Sequence, residues 1–359
     1  MSTVVDAGFW KGRRVLLTGH TGFKGSWAAL WLSAMGAHVF GFARAPDTAP
    51  SLYELAGVDA DVTSMIGDLA DVAAVRACVE RARPEIVLHF ASQALVRRAY
   101  RDPVDTFASN VGGAVNLLEA LRHRDGLRAV LIVTTDKVYR NRNEGAAFRE
   151  TDPLWGEEPY SASKVAQELI AGAYARSYFT ASNIRLATAR GGNVIGGGDF
   201  AEDRLVPDIV RAIQNHTHVS IRHPQSTRPW QHVLDCLAGY FVYAQALVAD
   251  GPLPPALNIG PGPEGSLAVA DVVEQLCRAL GHPGAWLAQE SAGPTEAKTL
   301  ALDVTLAHET LGWRDRLKAS AAIEATAAWY GAYLGGGDMR LACRGEIEAF
   351  MQLGVTGRP

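Results

Sequence analysis

The sequence predicts an α/β fold: a doubly wound parallel sheet with helices on both faces, followed by a smaller C-terminal α/β domain. Three observations predict it. From residue 13 to residue 190, short apolar runs alternate with segments whose apolar residues recur at helical spacing, and strands separated by helices build parallel sheets. A glycine-rich turn, Gly19-His20-Thr21-Gly22-Phe23-Lys24-Gly25, joins the first strand to the first helix. From Gly191 the alternation gives way to loops and turns. The expected division is 1–190 for the sheet domain, which also receives part of 233–260, and 191–359 for the second domain.

Residues 13–19 read as a short buried strand, and the segment after Gly22 carries Trp27, Leu30, Trp31 and Ala34 at helical spacing. Glycines between them permit a tight turn, close approach of backbone to a pyrophosphate and tight packing of helix on strand, while the helix N-terminus offers N–H groups to phosphate. The spacing, Gly-x-x-Gly-x-x-Gly, therefore points to a dinucleotide in a Rossmann-type domain, with Gly19, Thr21, Gly22, Phe23, Lys24 and Gly25 around it. The alternation continues with strands at 38–43, 64–67, 86–91, 129–135 and 184–190, and helices at 71–82, 104–123 and 160–179. Ligands of such sheets sit outside the carboxyl ends of the strands. Asp68, Ala91, Ser92, Gln93 and Thr135 fall there. The second strand ends in Arg44 rather than in the Asp or Glu that reads an NAD ribose. Arg44 suits a 2′-phosphate, or is a solvated strand end; Asp68 is placed to meet the adenine amine.

The stretch from Val133 to Lys164 holds the candidate chemistry. Its two ends, Thr135-Asp136-Lys137 after an apolar strand and Tyr160 at the start of a long helix, can meet at the mouth of the sheet. Tyr160 and Lys164 share a helix face one turn apart. A phenol with a pKa near ~10 is a poor base at neutral pH unless a cation stabilises its phenolate. Lys164 can supply the cation, and Thr135 a hydroxyl that orients a substrate oxygen.

Beyond Gly191 come a glycine loop to Asp199, a helical pattern at 206–215, a glycine- and proline-rich segment at 251–265, and helical patterns near 268–280 and 319–334. This region concentrates Arg190, Arg204, Arg222 and Arg228, with Asn193 at the domain crossing and Gln231 beside Trp230. A diphosphate needs two or three converging donors, and guanidinium groups suit phosphate oxygens. Arg222 and Arg228 are the preferred pair.

Bulk composition narrows the classes. The chain has 359 residues, 48% hydrophobic and 20% charged, enough for a large core. Its net charge of -4 argues against general affinity for nucleic acid or anionic membrane, so an anionic ligand must be held by a local cluster. Cys78, Cys236, Cys277 and Cys343 lie far apart without Cys-x-x-Cys, as expected for reduced thiols in the cytoplasm. The histidines lack metal-ligand spacing, and no metal is expected. Neither a signal peptide nor a membrane-spanning apolar run is expected from the pattern.

Thr18-Gly19-x-x-Gly22-x-x-Gly25, Asp68-Leu69, Asn110, Thr135, Tyr160 with Lys164, and Asn193-Val194-Ile195-Gly196 fall in the order of the extended short-chain dehydrogenase/reductase family. The chain resembles that family over nearly its whole length. Within it the chain is similar to the CDP-glucose 4,6-dehydratases, through Thr18 to Trp27, Thr135 to Tyr139, Gly192 to Phe200, Arg228 to Leu234, Glu296-Ala297 and Leu302-Asp303. The resemblance implies NAD, with Leu69 and Asn110 added to its site, and a homodimer or homotetramer. It makes Tyr160 the base that takes the sugar 4-OH proton as C4 is oxidised, with Lys164 lowering its pKa. Asp136 becomes the acid that protonates the departing 6-OH. Lys137 stands where other nucleotide-sugar dehydratases carry Glu, and as a C5 base it must be neutral. Departures are Glu158 before Pro159-Tyr160 where the family has Asp, Thr295 where it has His, and a short loop after Tyr139. A 4-epimerase, a dehydratase for another nucleotide sugar and a non-catalytic NAD(P)-binding regulator are the competing expectations.

Overall fold

The computed structural model describes residues 4–142, 144–249, 251–262, 265–284, 286–288 and 300–353. Six strands in succession, β1 (Arg14–Thr18), β2 (His38–Ala43), β3 (Thr63–Ile66), β4 (Ile86–His89), β5 (Ala129–Thr135) and β6 (Arg185–Gly191), alternate with helices. Three short strands follow, β7 (Asn193–Ile195), β8 (Val219–Ile221) and β9 (Thr227–His232), and then β10 (Ala256–Ile259) returns to the main sheet. That sheet has seven strands in the order β10-β6-β5-β4-β1-β2-β3, all parallel. The order reverses beside β1, which opens the ligand crevice of a doubly wound fold at its carboxyl edge.

Both faces of the sheet are covered, so its central strands are buried throughout; all seven residues of β5 are inside. Alternate side chains divide between two cores. Val15, Leu17, Leu131 and Val133 pack with helices Phe23–Ala34 and Val233–Val248. Leu16, Val130 and Ile132 pack with Val72–Ala82 and Gly113–Leu121. The period-2 alternation of the strands thus builds one core on each face.

β9 lies between β7, parallel to it, and β11 (Ser266–Ala268), antiparallel; β8 pairs with β12 (Trp286–Ala288). The glycine loop after β7 is clamped under helix Ala319–Leu334: a Cβ on Gly197 would stand 2.0 Å from the Trp329 ring. Among the described residues no helix is long and apolar enough to cross a membrane.

Several expectations need correction. The helix expected over 104–123 is two helices, Pro103–Phe107 and Gly113–Leu121, joined by a π-bulge at Ala108–Gly112, and a further helix, Val96–Arg101, precedes them. The segment 160–179 is helical from Pro159 to Tyr174 and then widens into a π turn over Ala175–Phe179. The glycine- and proline-rich 251–265 hides β10, four residues whose pairing with β6 overrides the turn-forming flanks. Helix Val233–Val248 escapes periodicity because nearly every residue in it is buried, so it has no polar face. Helices Thr305–Leu311 and Met339–Leu353 were not expected either.

Candidate active site

The glycine turn has the form a dinucleotide requires. Gly19 has φ +78°, and a Cβ there would lie 2.7 Å from the Ala91 nitrogen, so only glycine lets β1 and β4 end side by side. A Cβ on Gly25 would lie 2.0 Å from the Gly19 carbonyl oxygen, which is how closely the helix start sits on the turn. Gly22 caps helix Phe23–Ala34 with no side-chain hydrogen bond, and the first N–H groups are left for an anion. Lys24 is half-buried, with its ammonium 5.9 Å from the centre of the Tyr240 ring. These residues fit the pyrophosphate of NAD.

On the adenosine side, Thr21 donates its hydroxyl to the Arg44 carbonyl at 2.9 Å. Arg44 donates to Asp68 at 2.8 Å and to Asp105 at 2.7 Å, so its guanidinium is tied down although its side chain is still partly exposed. Buried Leu69 packs under Gly113. Gln93 and Asn110 turn out to serve each other: Asn110 Oδ1 accepts from Gln93 N at 2.8 Å and from the Ser92 hydroxyl at 3.1 Å, and its amide donates to the Gln93 carbonyl at 3.0 Å. Asn110 also donates to Ser163 at 2.9 Å, which bonds the Tyr160 carbonyl. The π-bulge thus aims Asn110 inward to pin the β4 loop against the helix that carries Tyr160.

That helix, Pro159–Tyr174, starts with a reciprocal cap: the Glu158 carboxylate accepts from Tyr160 N and Ser161 N, both at 2.7 Å, and Ser161 Oγ accepts from Glu158 N at 3.3 Å. Glu158 therefore does locally what a shorter acid does at such a start. Gly156 allows the close approach, since a Cβ would stand 2.2 Å from Ala162 Cα. Tyr160 is buried; burial pushes its phenol up to about 12, against the pull of a hydrogen bond with Thr135 and the charge of Arg204. Thr135 also donates to Asp136 at 3.0 Å. Asp136 is 1% exposed, and its Oδ2 has no partner among the described residues. Burial raises the Asp136 carboxyl, with Lys137 and the Thr135 hydrogen bond opposing. A Cβ on Gly192 would lie 3.3 Å from that oxygen, so the strand end of β5 meets the crossing into the second region. Lys137 is half-buried beside it.

The hydrogen bonds of the Lys164 ammonium go elsewhere than to the Tyr160 oxygen. It donates to the Val133 carbonyl at 2.9 Å and to Gln167 Oε1 at 2.7 Å. Burial, with the charge of Lys24, lowers it to about 7. Gln167 donates in turn to the Asn110 carbonyl at 2.8 Å. Helical spacing placed Gln167 beside Lys164, the only sequence signal for it. One turn further, Glu168 accepts from Thr134, from Thr188 at 2.8 Å and from Arg190 at 2.9 Å. Arg190 is thus withdrawn from the expected arginine cluster: it also donates to the Tyr139 hydroxyl at 2.8 Å, and the pair is buried beneath the site. The chain direction explains it, because Arg190 is still in β6 and faces the helix, not the crevice.

Among the other second-region candidates, Arg204 is half-buried and lies 3.4 Å from Asp199. Asn193 starts β7 opposite Trp230. Arg222 is half-buried just after β8. Arg228 is 7% exposed and donates to the Thr227 carbonyl at 2.9 Å. Its charge helps to hold Asp136 down, which brings it toward the catalytic end. Gln231 is buried, and neither its oxygen nor its nitrogen has a hydrogen-bond partner among the described residues. Glu296, Ala297 and Thr295 lie outside the described residues.

A doubly wound sheet, a glycine turn shaped for pyrophosphate, and a Tyr, Lys and Thr at the crevice together define a dinucleotide-dependent enzyme of the α/β class. The chain belongs to the NAD dependent epimerase/dehydratase family, whose pattern matches residues 15–260. It is 42% identical to a CDP-glucose 4,6-dehydratase of Salmonella typhimurium over 97% of this chain and 99% of that relative. It is 29% identical to a dTDP-glucose 4,6-dehydratase of Xanthomonas campestris pv. campestris over 88% and 92%. In fold it is similar to a dTDP-glucose 4,6-dehydratase of Streptomyces venezuelae solved with NAD, with a TM-score of 0.77 and 24% identity over 91% of this chain and 99% of that one. NAD is the cofactor of this family, and the glycine turn fits it.

Proposed function

We propose that the protein is a nucleotide-sugar 4,6-dehydratase that converts CDP-D-glucose to CDP-4-keto-6-deoxy-D-glucose. The observation that carries this reading is Asp136: a buried carboxyl, its hold on a proton strengthened by that burial, with an unpartnered oxygen beside Thr135 and Tyr160. An epimerase has no step that needs such an acid. The relative from Salmonella supports the choice of nucleotide, being similar along nearly the whole chain.

NAD would be held at Gly19 to Gly25 and by Asp68, where it would supply a reversible hydride acceptor for oxidation at C4 and reduction at C6. The chain supplies the rest. Tyr160, as its phenolate, takes the proton of the sugar 4-OH, and Thr135 orients that oxygen. Lys164, at about 7, has both protonation forms populated at neutral pH and supplies the positive field in its charged form. The 4-ketone acidifies C5–H. Lys137 is the candidate to accept the C5 proton while Asp136 donates its own to the departing 6-OH, so that water leaves and the C5–C6 double bond forms. Lys137 then returns its proton to C5 as C6 is reduced. Residues 191–359 hold the nucleotide, with Asn193, Arg204, Arg222, Arg228 and Gln231 toward the diphosphate and sugar.

The exposed apolar side chains Val104 and Phe107 on one helix and Leu169 on its neighbour suit a second copy of the chain, giving a homodimer or a homotetramer, which sedimentation of Leu169→Glu against wild type tests. A cytoplasmic site suits the four cysteines, all buried free thiols.

The test of function is direct. Purified protein with NAD+ and each of CDP-, dTDP-, UDP- and GDP-glucose is assayed for a 4-keto-6-deoxy product by mass and by NMR. Product from CDP-glucose that Tyr160→Phe abolishes supports the proposal. A 4-epimer with no loss of water, or product from another nucleotide alone, overturns it.

A further inference from the structure

The end of the second strand is where a doubly wound dinucleotide fold reads the adenosine ribose: an acid there binds the 2′-OH of NAD, and an arginine accommodates the 2′-phosphate of NADP. This chain has the arginine and belongs to an NAD family. The surroundings of Arg44 resolve the contradiction. Its carbonyl accepts from Thr21 of the glycine turn at 2.9 Å, which fixes the residue beside the cofactor site. Its guanidinium is then bound on three sides. Nε donates to Asp68 Oδ2 at 2.8 Å, NH1 to Asp105 Oδ2 at 3.3 Å, and NH2 to Asp105 Oδ1 at 2.7 Å and to Ser109 Oγ at 3.0 Å. Four of the five N–H donors that an arginine carries are therefore engaged.

Charge points the same way. Arg98 lies 3.2 Å from Asp47 and 3.8 Å from Asp105, so two guanidinium groups face three carboxylates, a local surplus of one negative charge. The carboxylates hold Arg44 firmly in its charged form, and Arg44 holds Asp105 below the usual carboxylate range. A 2′-phosphate arriving here meets carboxylates and an arginine whose fork is already filled. A 2′-hydroxyl, neutral and able to donate, meets acceptors.

We propose that Asp105, with Asp68, clamps Arg44 so that the chain selects NAD over NADP, and that the clamp replaces the missing acid after β2. Asp105 is the specificity-determining residue, 61 positions from the arginine it holds. The inference rests on the NAD reading of the glycine turn, and its test separates the two. Calorimetric titration of wild-type protein with NAD+ and with NADP+ gives the ratio of their dissociation constants, expected to favour NAD+ by about tenfold or more, the worth of one charged hydrogen bond. Asp105→Ala releases NH1 and leaves NH2 with Ser109 alone, and is expected to narrow that ratio by about tenfold. A ratio unchanged by Asp105→Ala while NAD+ affinity stays intact, or a wild type that binds NADP+ as tightly as NAD+, overturns the proposal. If Asp105→Ala weakens both ligands equally through local damage, Asp105→Asn, which keeps the shape of the side chain, decides on the same ratio. Wild-type protein that binds neither dinucleotide overturns the cofactor reading itself.

Discussion

Replacing Arg190 with methionine is expected to cost stability and to leave nucleotide binding alone. Both side chains of the Arg190–Glu168 pair are 5% exposed, and the two contacts between them are 2.9 and 3.1 Å. The guanidinium also donates to the Tyr139 hydroxyl at 2.8 Å and to the Glu150 carbonyl at 3.1 Å. Deleting one partner of a buried pair strands the other charge away from water, which costs roughly 3–5 kcal/mol. Glu168 keeps hydrogen bonds from Thr134 and Thr188, so the lower half of that range is expected. Adding Glu168→Gln removes the stranded charge and should restore at least ~1–2 kcal/mol. Urea unfolding of the wild type, Arg190→Met and the double variant measures these differences, and titration with CDP-glucose measures binding. A double variant no more stable than Arg190→Met refutes the stranded-charge account. A large rise in the CDP-glucose dissociation constant for a stably folded Arg190→Met would return Arg190 to the diphosphate site.

Three further outcomes are expected. Asp136→Asn slows elimination more than oxidation, because only the departure of the 6-OH needs its proton; single-turnover absorbance should show reduced nicotinamide building up, and equal loss of both steps would make Asp136 a positioning residue. Arg228→Ala raises the dissociation constant of CDP-glucose by about 10- to 100-fold, the worth of a charged hydrogen bond to phosphate, with NAD affinity nearly unchanged; unchanged substrate affinity refutes the placement. Lys164 has a folded value of about 7 against 10.5 for the free side chain, so between those values the unfolded chain binds more protons and this residue's contribution to stability rises with pH. Lys164→Met should therefore stabilise the fold at pH below that window and lose its advantage as pH climbs through it; a difference in urea midpoint that is flat with pH removes the depressed value.

Much of the sheet and of its crevice is legible in the sequence because the signals are local. A buried strand shows as an apolar run such as Ala129 to Thr135, a tight turn as the glycines around His20, and a helix face as Tyr160 with Lys164 four residues on. What escapes is decided by partners distant in the chain. β10 is too short to announce itself and exists because β6 offers an edge. The inward turn of Asn110 depends on a π-bulge that no propensity marks. Arg44, Arg190 and Arg228 look alike as letters, yet two carboxylates hold the first, one buried carboxylate the second, and the third lies in β9 near Asp136. A count of arginines finds the charge; only the fold says which charges are already neutralised.

The helix Pro159–Tyr174 joins the chemistry to the stability of the sheet. Tyr160, Lys164 and Glu168 recur at four-residue spacing, so they line one face from the crevice down into the protein, and Ser163 with Gln167 line the adjoining stripe. Each lower residue fixes the one above or its neighbour: Glu168 gathers β5 and β6 through Thr134 and Thr188, Gln167 holds the Lys164 ammonium, and Ser163 ties the Tyr160 carbonyl to Asn110. An apolar helix of the same shape would pack at least as well, since buried ion pairs stabilise weakly against hydrophobic replacements. A polar ladder instead demands one register, because a shifted helix leaves buried donors and acceptors unpaired. The proposed reaction needs that demand. Its proton transfers run between groups on two elements, the end of β5 and the start of this helix, and a displacement of ~1 Å between them is enough to slow such steps strongly.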